Sequence, residues 1–303
     1  MSKTVGRILI SGASGLIGSA VRQAAQQRGY DIRTLVRRHR EVHGGAIYWN
    51  PADDNRGIHP AALEGMEAIV HLSGASVAQR WTRARRENIV ASRVQSTEVL
   101  CDALSKVRER PPVLLCASAI GIYGSRGDEV LTESSTAGTG FLAETCQAWE
   151  AAAQQASSLG MRVVHLRLGV VLSRKGGALG KMLPVFRMGL GGRLGDGRQW
   201  MSWISLRDVV RAIWFLIVRE EFSGPFNLTA PQPVTNADFT HALAHALHRP
   251  ALFPAPAPVL RAAFGEMAEQ TLLASARVLP QRLLEAGFDF EDREIGAALH
   301  ALL

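Results

Sequence analysis

The stretch that decides the fold is residues 8–38, ILISGASGLIGSAVRQAAQQRGYDIRTLVRR. It contains an apolar run (Ile8, Leu9, Ile10), a glycine loop (Gly12, Gly15, Gly18), a helix-patterned segment and a second apolar run ending in Arg37 and Arg38. A strand that feeds a tight glycine turn and then a helix aims free backbone N–H groups, and the positive end of the helix dipole, at one point. That point suits a pyrophosphate. In this pattern Gly12 lets the chain turn, Gly15 lets it approach phosphates, and Gly18 lets the helix pack close to the strand. The flanking strand, helix and second strand make the triplet a dinucleotide-binding motif. Its loop, Gly12, Ser14, Gly15, Leu16, Ile17 and Gly18, is the first set of expected cofactor contacts.

The end of the second strand refines the ligand. An acid there would hydrogen-bond the ribose hydroxyls of NAD, whereas an Arg can pair with the 2′-phosphate of NADP. Here the strand runs into Arg37, Arg38, His39 and Arg40, with no acid before Glu41. Arg37 is the expected phosphate clamp, with Arg38 beside it, and NADP(H) is the expected cofactor.

Composition narrows the class. A chain of 303 residues can bury a large core. Its 47% hydrophobic and 20% charged residues describe an ordinary globular protein. The N-terminus runs straight into the first strand without a secretory leader, and no apolar run approaches the ~20 residues of a membrane span. Cys101, Cys116 and Cys146 are odd in number and widely spaced, which predicts reduced thiols, a cytoplasmic location and no metal site. The net charge of +7 is spread over small basic groups with acids beside them. No nucleic-acid motif accompanies it, and an anionic dinucleotide is a sufficient reason for the charge.

The first half alternates apolar runs with helix-length segments, which predicts an α/β fold: a Rossmann-type, doubly wound parallel sheet. Strands are predicted at 31–36, 46–49, 67–72, 112–117 and 162–168, with helices at about 83–107 and 140–158. Beyond about residue 170 a glycine-rich stretch surrounds a helix at 179–188. An aromatic cluster at 200–204, a helix at 206–219 and a short strand at 225–228 follow, and then a proline-interrupted, helical C-terminus. The expected organisation is an NADP-binding domain over residues 1–170, completed by about 200–230. Residues 171–303 supply a smaller, mainly helical lobe on the substrate side. Loops after Ser11, Val36, Leu72, Ala117 and Leu168 should converge on one crevice.

Several motifs outside the glycine loop carry a family likeness. The SAIGIYG loop, VHLSG followed by RWT and SRV, LRLGVVLSRKGGAL, and QWMSWI with its RD resemble an atypical or extended short-chain dehydrogenase/reductase. More narrowly they resemble the bacterial epimerase family group. LLASARVLPQRLLEAGFDF is similar to that group's C-terminal domain of unknown function. The resemblance implies NADP(H) held by the first loop, Arg37, Leu72, Ser73, Gly74, Arg93 and the loop at Ala117 and Ser118. It also implies that Ser118 touches substrate and the nicotinamide end.

One departure stands out. Short-chain dehydrogenases place a Tyr four residues before a Lys on one helix face, where the ammonium lowers the phenol pKa. The corresponding helix here reads GTGFLAETCQAWEAAA. Phe141 or Leu142 stands where Tyr is expected, and Thr145 or Cys146 where Lys is expected, depending on register. Ser118 and Tyr123 are the residues expected to act in their place, with His71 a strand-end histidine near the cofactor edge. On the substrate side Arg167, Met182, Trp200 and Trp203 are expected to wall a site for an anionic or sugar-like small molecule. Asp208 is expected to order its loop or cap the following helix. The leading expectation is an NADP(H)-dependent oxidoreductase or nucleotide-sugar-epimerase-like enzyme. The alternative is a non-catalytic NADP(H)-binding sensor or assembly factor, and the sequence carries no signature of oligomeric state.

Overall fold

The computed structural model describes residues 6–51 and 58–303; the first five residues, where the leaderless start was read, lie outside this range. The first elements are β1 (Arg7–Ser11), α1 (Leu16–Gln27), β2 (Asp31–Val36), β3 (Ala46–Tyr48) and β4 (Ala68–His71). Next come α2 (Arg83–Ala91), α3 (Val94–Ser105), β5 (Val113–Ala119), β6 (Val130–Leu131), α4 (Phe141–Gln154) and β7 (Arg162–Leu168). The remainder holds β8 (Val170–Ser173), α5 (Gly177–Arg187), β9 (Trp200–Met201), β10 (Trp203–Ser205), α6 (Leu206–Val218) and β11 (Gly224–Leu228). It ends with β12 (Val234–Thr235), α7 (Asn236–Leu247), α8 (Ala257–Phe264), β13 (Arg277–Val278), α9 (Gln281–Glu285) and α10 (Ile295–Leu302).

Seven strands form one parallel sheet in the order β11-β7-β5-β4-β1-β2-β3. Strand alternation divides its side chains between two cores. Ile8, Ile10, Val70, Leu115 and Val164 pack with α1 and α6. Leu9, Ile69, Leu114, Cys116 and Val163 pack with α3 and α4 on the other face. Successive residues point to opposite faces, so a strand covered on both sides must be apolar at every position. This is the doubly wound arrangement expected from the sequence. The strand order reverses between β1 and β4, the switch point where such sheets open a ligand crevice.

The single helix predicted over about 83–107 is two. Ser92 and Arg93 break it, and the Ser92 hydroxyl is held there by accepting the Ala75 N–H. The β-ladder also extends past 117 to Ala119. In the second half, α5, α7 and α10 enclose a third core containing Leu179, Phe186, Trp203, Phe239, Leu243 and Leu299. Asp208 is fully buried and accepts the N–H groups of Glu291 and Asp292, tying the C-terminal segment to α6. The cap on α6 is Ser205, whose hydroxyl accepts the Asp208 N–H. No helix of the described residues is long and apolar enough to cross a membrane.

Candidate dinucleotide crevice

The crevice begins where β1 turns into α1. Gly12 adopts φ +64°, the left-handed region, and a Cβ there would lie 2.6 Å from the Leu72 carbonyl oxygen. A Cβ on Gly18 would fall 2.2 Å from the Gly12 carbonyl oxygen, so only glycine allows α1 to sit this close. Gly15 is exposed beside Ser14 and occupies the N-cap of α1 without any side-chain cap. No acid stands in the first turn either, so the helix N-terminus offers its N–H groups outward. Leu16 and Ile17, half-buried, complete the turn. Gly12 also brings this loop against the one that follows β4, where Leu72 and Ser73 are half-buried and Gly74 is exposed.

Arg37 and Arg38 extend from the end of β2 and are both exposed. Arg38 lies 3.6 Å from the Glu41 carboxylate, whereas Arg37 has no ion pair among the described residues. The two are therefore unequal: Arg38 faces a carboxylate and Arg37 does not.

Arg93 turns inward at the break between α2 and α3. Its guanidinium lies over the Trp149 ring at 5.2 Å and donates to the Ile89 carbonyl. It also packs on Gly74, where a Cβ would stand 3.2 Å from Cζ. Glu87, on α2, pairs with Arg83 instead of with Arg93. Arg93 thus joins the β4 loop to α4.

On α4 the absent Tyr–Lys pair leaves an apolar face. Phe141 is buried against Trp81, with the Arg86 guanidinium 4.3 Å from its ring centre. The Thr145 hydroxyl donates back to the Phe141 carbonyl. The Cys146 thiol is pushed up to about 11 by burial, against the opposing pull of the Arg93 charge. It is therefore a neutral thiol at pH 7.

The residues expected to replace that pair are committed to one another. The Ser118 hydroxyl is buried and donates to Glu150 Oε1 at 2.6 Å. Glu150 also grips Arg167 through two bonds of 2.8 and 2.9 Å. Arg167 Nη1 donates to the Tyr123 hydroxyl at 2.9 Å, and that hydroxyl donates to Asn227 Oδ1 at 2.7 Å. Tyr123 has no exposed surface, and burial raises its phenol pKa despite the nearby Arg167 charge. Both hydroxyls face the interior among α4, β7 and β11 rather than an open cleft. Ala117, also buried, has only backbone to present beside them. Sequence reasoning named Ser118, Tyr123 and Arg167 but missed Glu150, which joins them. Its signal was an acid beside Trp149 in an otherwise alanine-rich helical run.

Expectations for the second lobe change more. Arg167 is not a free substrate cation, because Glu150 neutralises it. Trp203 is fully buried in the lobe core and donates Nε1–H to the Gln232 carbonyl, so it forms no ligand wall. Trp200 is half-buried, donates to Asp128 and lies under Arg277, which is 4.4 Å from its ring centre. Met182 is half-buried on α5 against the same core as Trp203.

His71 ends β4 entirely out of water. Its Nδ1 lies 2.7 Å from the Ser11 hydroxyl, which also accepts the Leu72 N–H. Burial lowers the His71 pKa to about 4. It is a neutral core histidine. Cys101, Cys116 and Cys146 are buried and free, and the described residues contain no group of three or more metal-ligating side chains.

Comparison with known proteins agrees with this architecture. The NAD dependent epimerase/dehydratase family matches residues 8–228, and a domain of unknown function matches residues 255–302. Epimerase family protein Mb2239 of Mycobacterium bovis is 45% identical over 293 residues, 96% of each chain. The crystal structure of human epimerase family protein SDR39U1 (isoform 2) with NADPH superposes with a TM-score of 0.87 at 31% identity, covering 98% of both chains. A nucleoside-diphosphate sugar epimerase from Corynebacterium glutamicum gives a TM-score of 0.80 at 34% identity, over 99% of this chain and 58% of that one. The chain belongs to the NAD dependent epimerase/dehydratase family, as an atypical short-chain dehydrogenase/reductase with the family's C-terminal domain of unknown function.

Proposed function

We propose that the protein binds NADP(H) and works as an oxidoreductase or epimerase-like enzyme on an anionic or sugar-like small molecule. The observation that carries the cofactor is the uncapped N-terminus of α1 behind a loop whose Gly12 and Gly18 leave no room for a Cβ. In this reading the loop from Gly12 to Gly18 holds the diphosphate, and Arg37 receives the 2′-phosphate. Arg93, the Leu72–Ser73–Gly74 loop and the loop at Ala117 and Ser118 hold the rest of the cofactor in this reading. The human relative was solved with NADPH, which supports the choice of cofactor. The naming of the Corynebacterium glutamicum relative supports the sugar-nucleotide class.

When bound, the nicotinamide supplies hydride chemistry. The chain itself supplies orientation: Arg93 is a fixed cation near the position where Lys is missing, and Phe141 with Trp81 presents apolar surface. No tyrosine stands on α4 to move a proton, so transfer there falls to the substrate or to water. We assign residues 1–170 with about 200–230 to the cofactor unit and 171–303 to the substrate-side lobe. Three buried thiols outside disulfides suit a reducing compartment, and the cytoplasm is the proposed location.

A second reading, an NADP(H)-dependent binding protein without turnover, draws on one specific observation. The hydroxyls of Ser118 and Tyr123 are both spent inside the buried network. Titration with NADPH and NADH, followed by nicotinamide absorbance against nucleotide-sugar and carbonyl panels, separates the readings. Turnover supports the enzyme. Tight NADPH binding without turnover supports the second reading, and equal affinity for NADH and NADPH removes the cofactor assignment from both.

A further inference from the structure

Most of the exposed large apolar side chains of the described residues fall in two segments, 174–195 and 239–265. Neither segment contains an Asp or a Glu, whereas together they hold Lys181, Arg187, Arg193 and Arg249. Folding lays the two side by side. The N–H groups of Phe253 and Ala255 donate to the Gly191 and Arg193 carbonyls, and Leu190 is bridged to Ala251. Arg249 donates Nε–H to the Arg187 carbonyl at 3.1 Å, and Gly192 leaves no room for a Cβ against the Phe253 carbonyl. The result is a short ribbon of extended chain that begins where α5 ends. On it Met188, Leu190, Leu252 and Phe253 are 65%, 51%, 76% and 59% exposed. Successive residues of an extended run point to opposite sides, so exposure of both Leu252 and Phe253 means that this edge stands out from the lobe with water on both faces. Arg187, Arg193 and Arg249 are exposed around it, and none has a carboxylate partner among the described residues.

We propose that this ribbon is a docking edge for an anionic membrane surface. Met188, Leu190, Leu252 and Phe253 enter the headgroup boundary, and Arg187, Arg193 and Arg249 meet lipid phosphates. A bilayer surrounds protruding apolar side chains without the matching holes a protein partner needs, and its negative surface favours basic residues at the edge of the contact. A second copy of the chain fits less well, since pairing like edges brings the same unpaired cations together. Full burial of one Leu or Phe side chain changes a binding constant by about tenfold or more, and each Lys or Arg near an anionic surface by about fivefold. The contact is peripheral: no helix of the described residues is long and apolar enough to cross a membrane.

The test is flotation of the full chain with two sets of vesicles, phosphatidylcholine alone and phosphatidylcholine mixed with phosphatidylglycerol. Wild type should partition onto the mixed vesicles about tenfold or more above the neutral ones, and high salt should reverse much of that gain. Leu252→Ser combined with Phe253→Ser should lower partitioning onto the mixed vesicles by about tenfold or more. Arg187→Gln combined with Arg193→Gln should erase most of the preference for them. Val218→Ser, which changes an exposed apolar residue outside both segments, should bind as wild type does. The thermal midpoint of each variant reports its folding, and if one double variant fails to fold the other decides. Equal binding of wild type to the two vesicle sets, binding to neither, or wild-type partitioning by both double variants overturns the proposal. So does either alternative occupant found without vesicle binding. One is a dimer seen by light scattering in wild type and lost in Leu252→Ser with Phe253→Ser. The other is tight binding of a synthetic amphipathic helix rich in Glu and Leu.

Discussion

Arg167 and Glu150 meet side by side, Nε to Oε1 at 2.8 Å and Nη2 to Oε2 at 2.9 Å, with only 10% and 13% of their side chains exposed. Burial alone would raise the Glu150 pKa, but the bonds and charge of Arg167 outweigh it and leave the carboxyl below its ordinary value. The pair ties α4 to β7 and anchors Ser118 and Tyr123. Removing one partner strands the other charge, so Glu150→Ala should lower stability by about 3–5 kcal/mol in denaturant titration. Glu150→Met combined with Arg167→Met should recover much of that loss. A single variant within about 1 kcal/mol of wild type would show that the pair is not a cornerstone of the fold.

Tyr123 tests whether the network is structural or catalytic. Tyr123→Phe deletes the bond to Asn227 and the acceptor for Arg167, a cost of about 1–3 kcal/mol. NADPH affinity and any turnover per folded molecule should stay at wild-type values. A turnover lost completely in a stable variant would return Tyr123 to the chemistry.

Arg37 and Arg38 should separate by cofactor. Arg37→Asp replaces a charge-assisted contact with repulsion and should weaken NADPH by about 10- to 100-fold, leaving NADH nearly unchanged. Arg38→Asp should do less, since Arg38 already faces Glu41. Fluorescence titration with both nucleotides measures the difference, and equal losses for NADPH and NADH would contradict the 2′-phosphate role.

His71 sets a pH dependence. Its folded pKa of about 4 lies below the ordinary 6.5, because burial disfavours the charged ring. A base with a depressed folded pKa stabilises the fold fully above the unfolded value and progressively less as pH falls toward the folded one. Stability should therefore decline from about pH 6.5 to 4, with a His71 share of about 3 kcal/mol. His71→Gln should flatten this part of the profile. An identical pH dependence in variant and wild type would remove the histidine from the account.

The glycine loop was legible because its demands are local. A positive φ at Gly12 and the close approach at Gly18 are met by glycine alone, whatever surrounds them. The doubly wound sheet was legible for a similar reason: strands buried on both faces must be continuously apolar, as 8–10, 68–70 and 113–117 are. The break at Ser92–Arg93 was not, since an Ala75 N–H from a distant loop holds it.

The sequence by itself determined the glycine turn between β1 and α1, the basic run that follows β2, and an α4 without Tyr or Lys, because backbone geometry and residue identity are written position by position. Only the tertiary structure decided where side chains point. Ser118, Tyr123 and Arg167 turn inward because Glu150 and Asn227 arrive there from α4 and β11. Trp203 joins a core closed by residues almost a hundred positions later. A polar group or indole goes where its bonds and burial are satisfied, and those partners are assembled by folding rather than by neighbourhood in the chain.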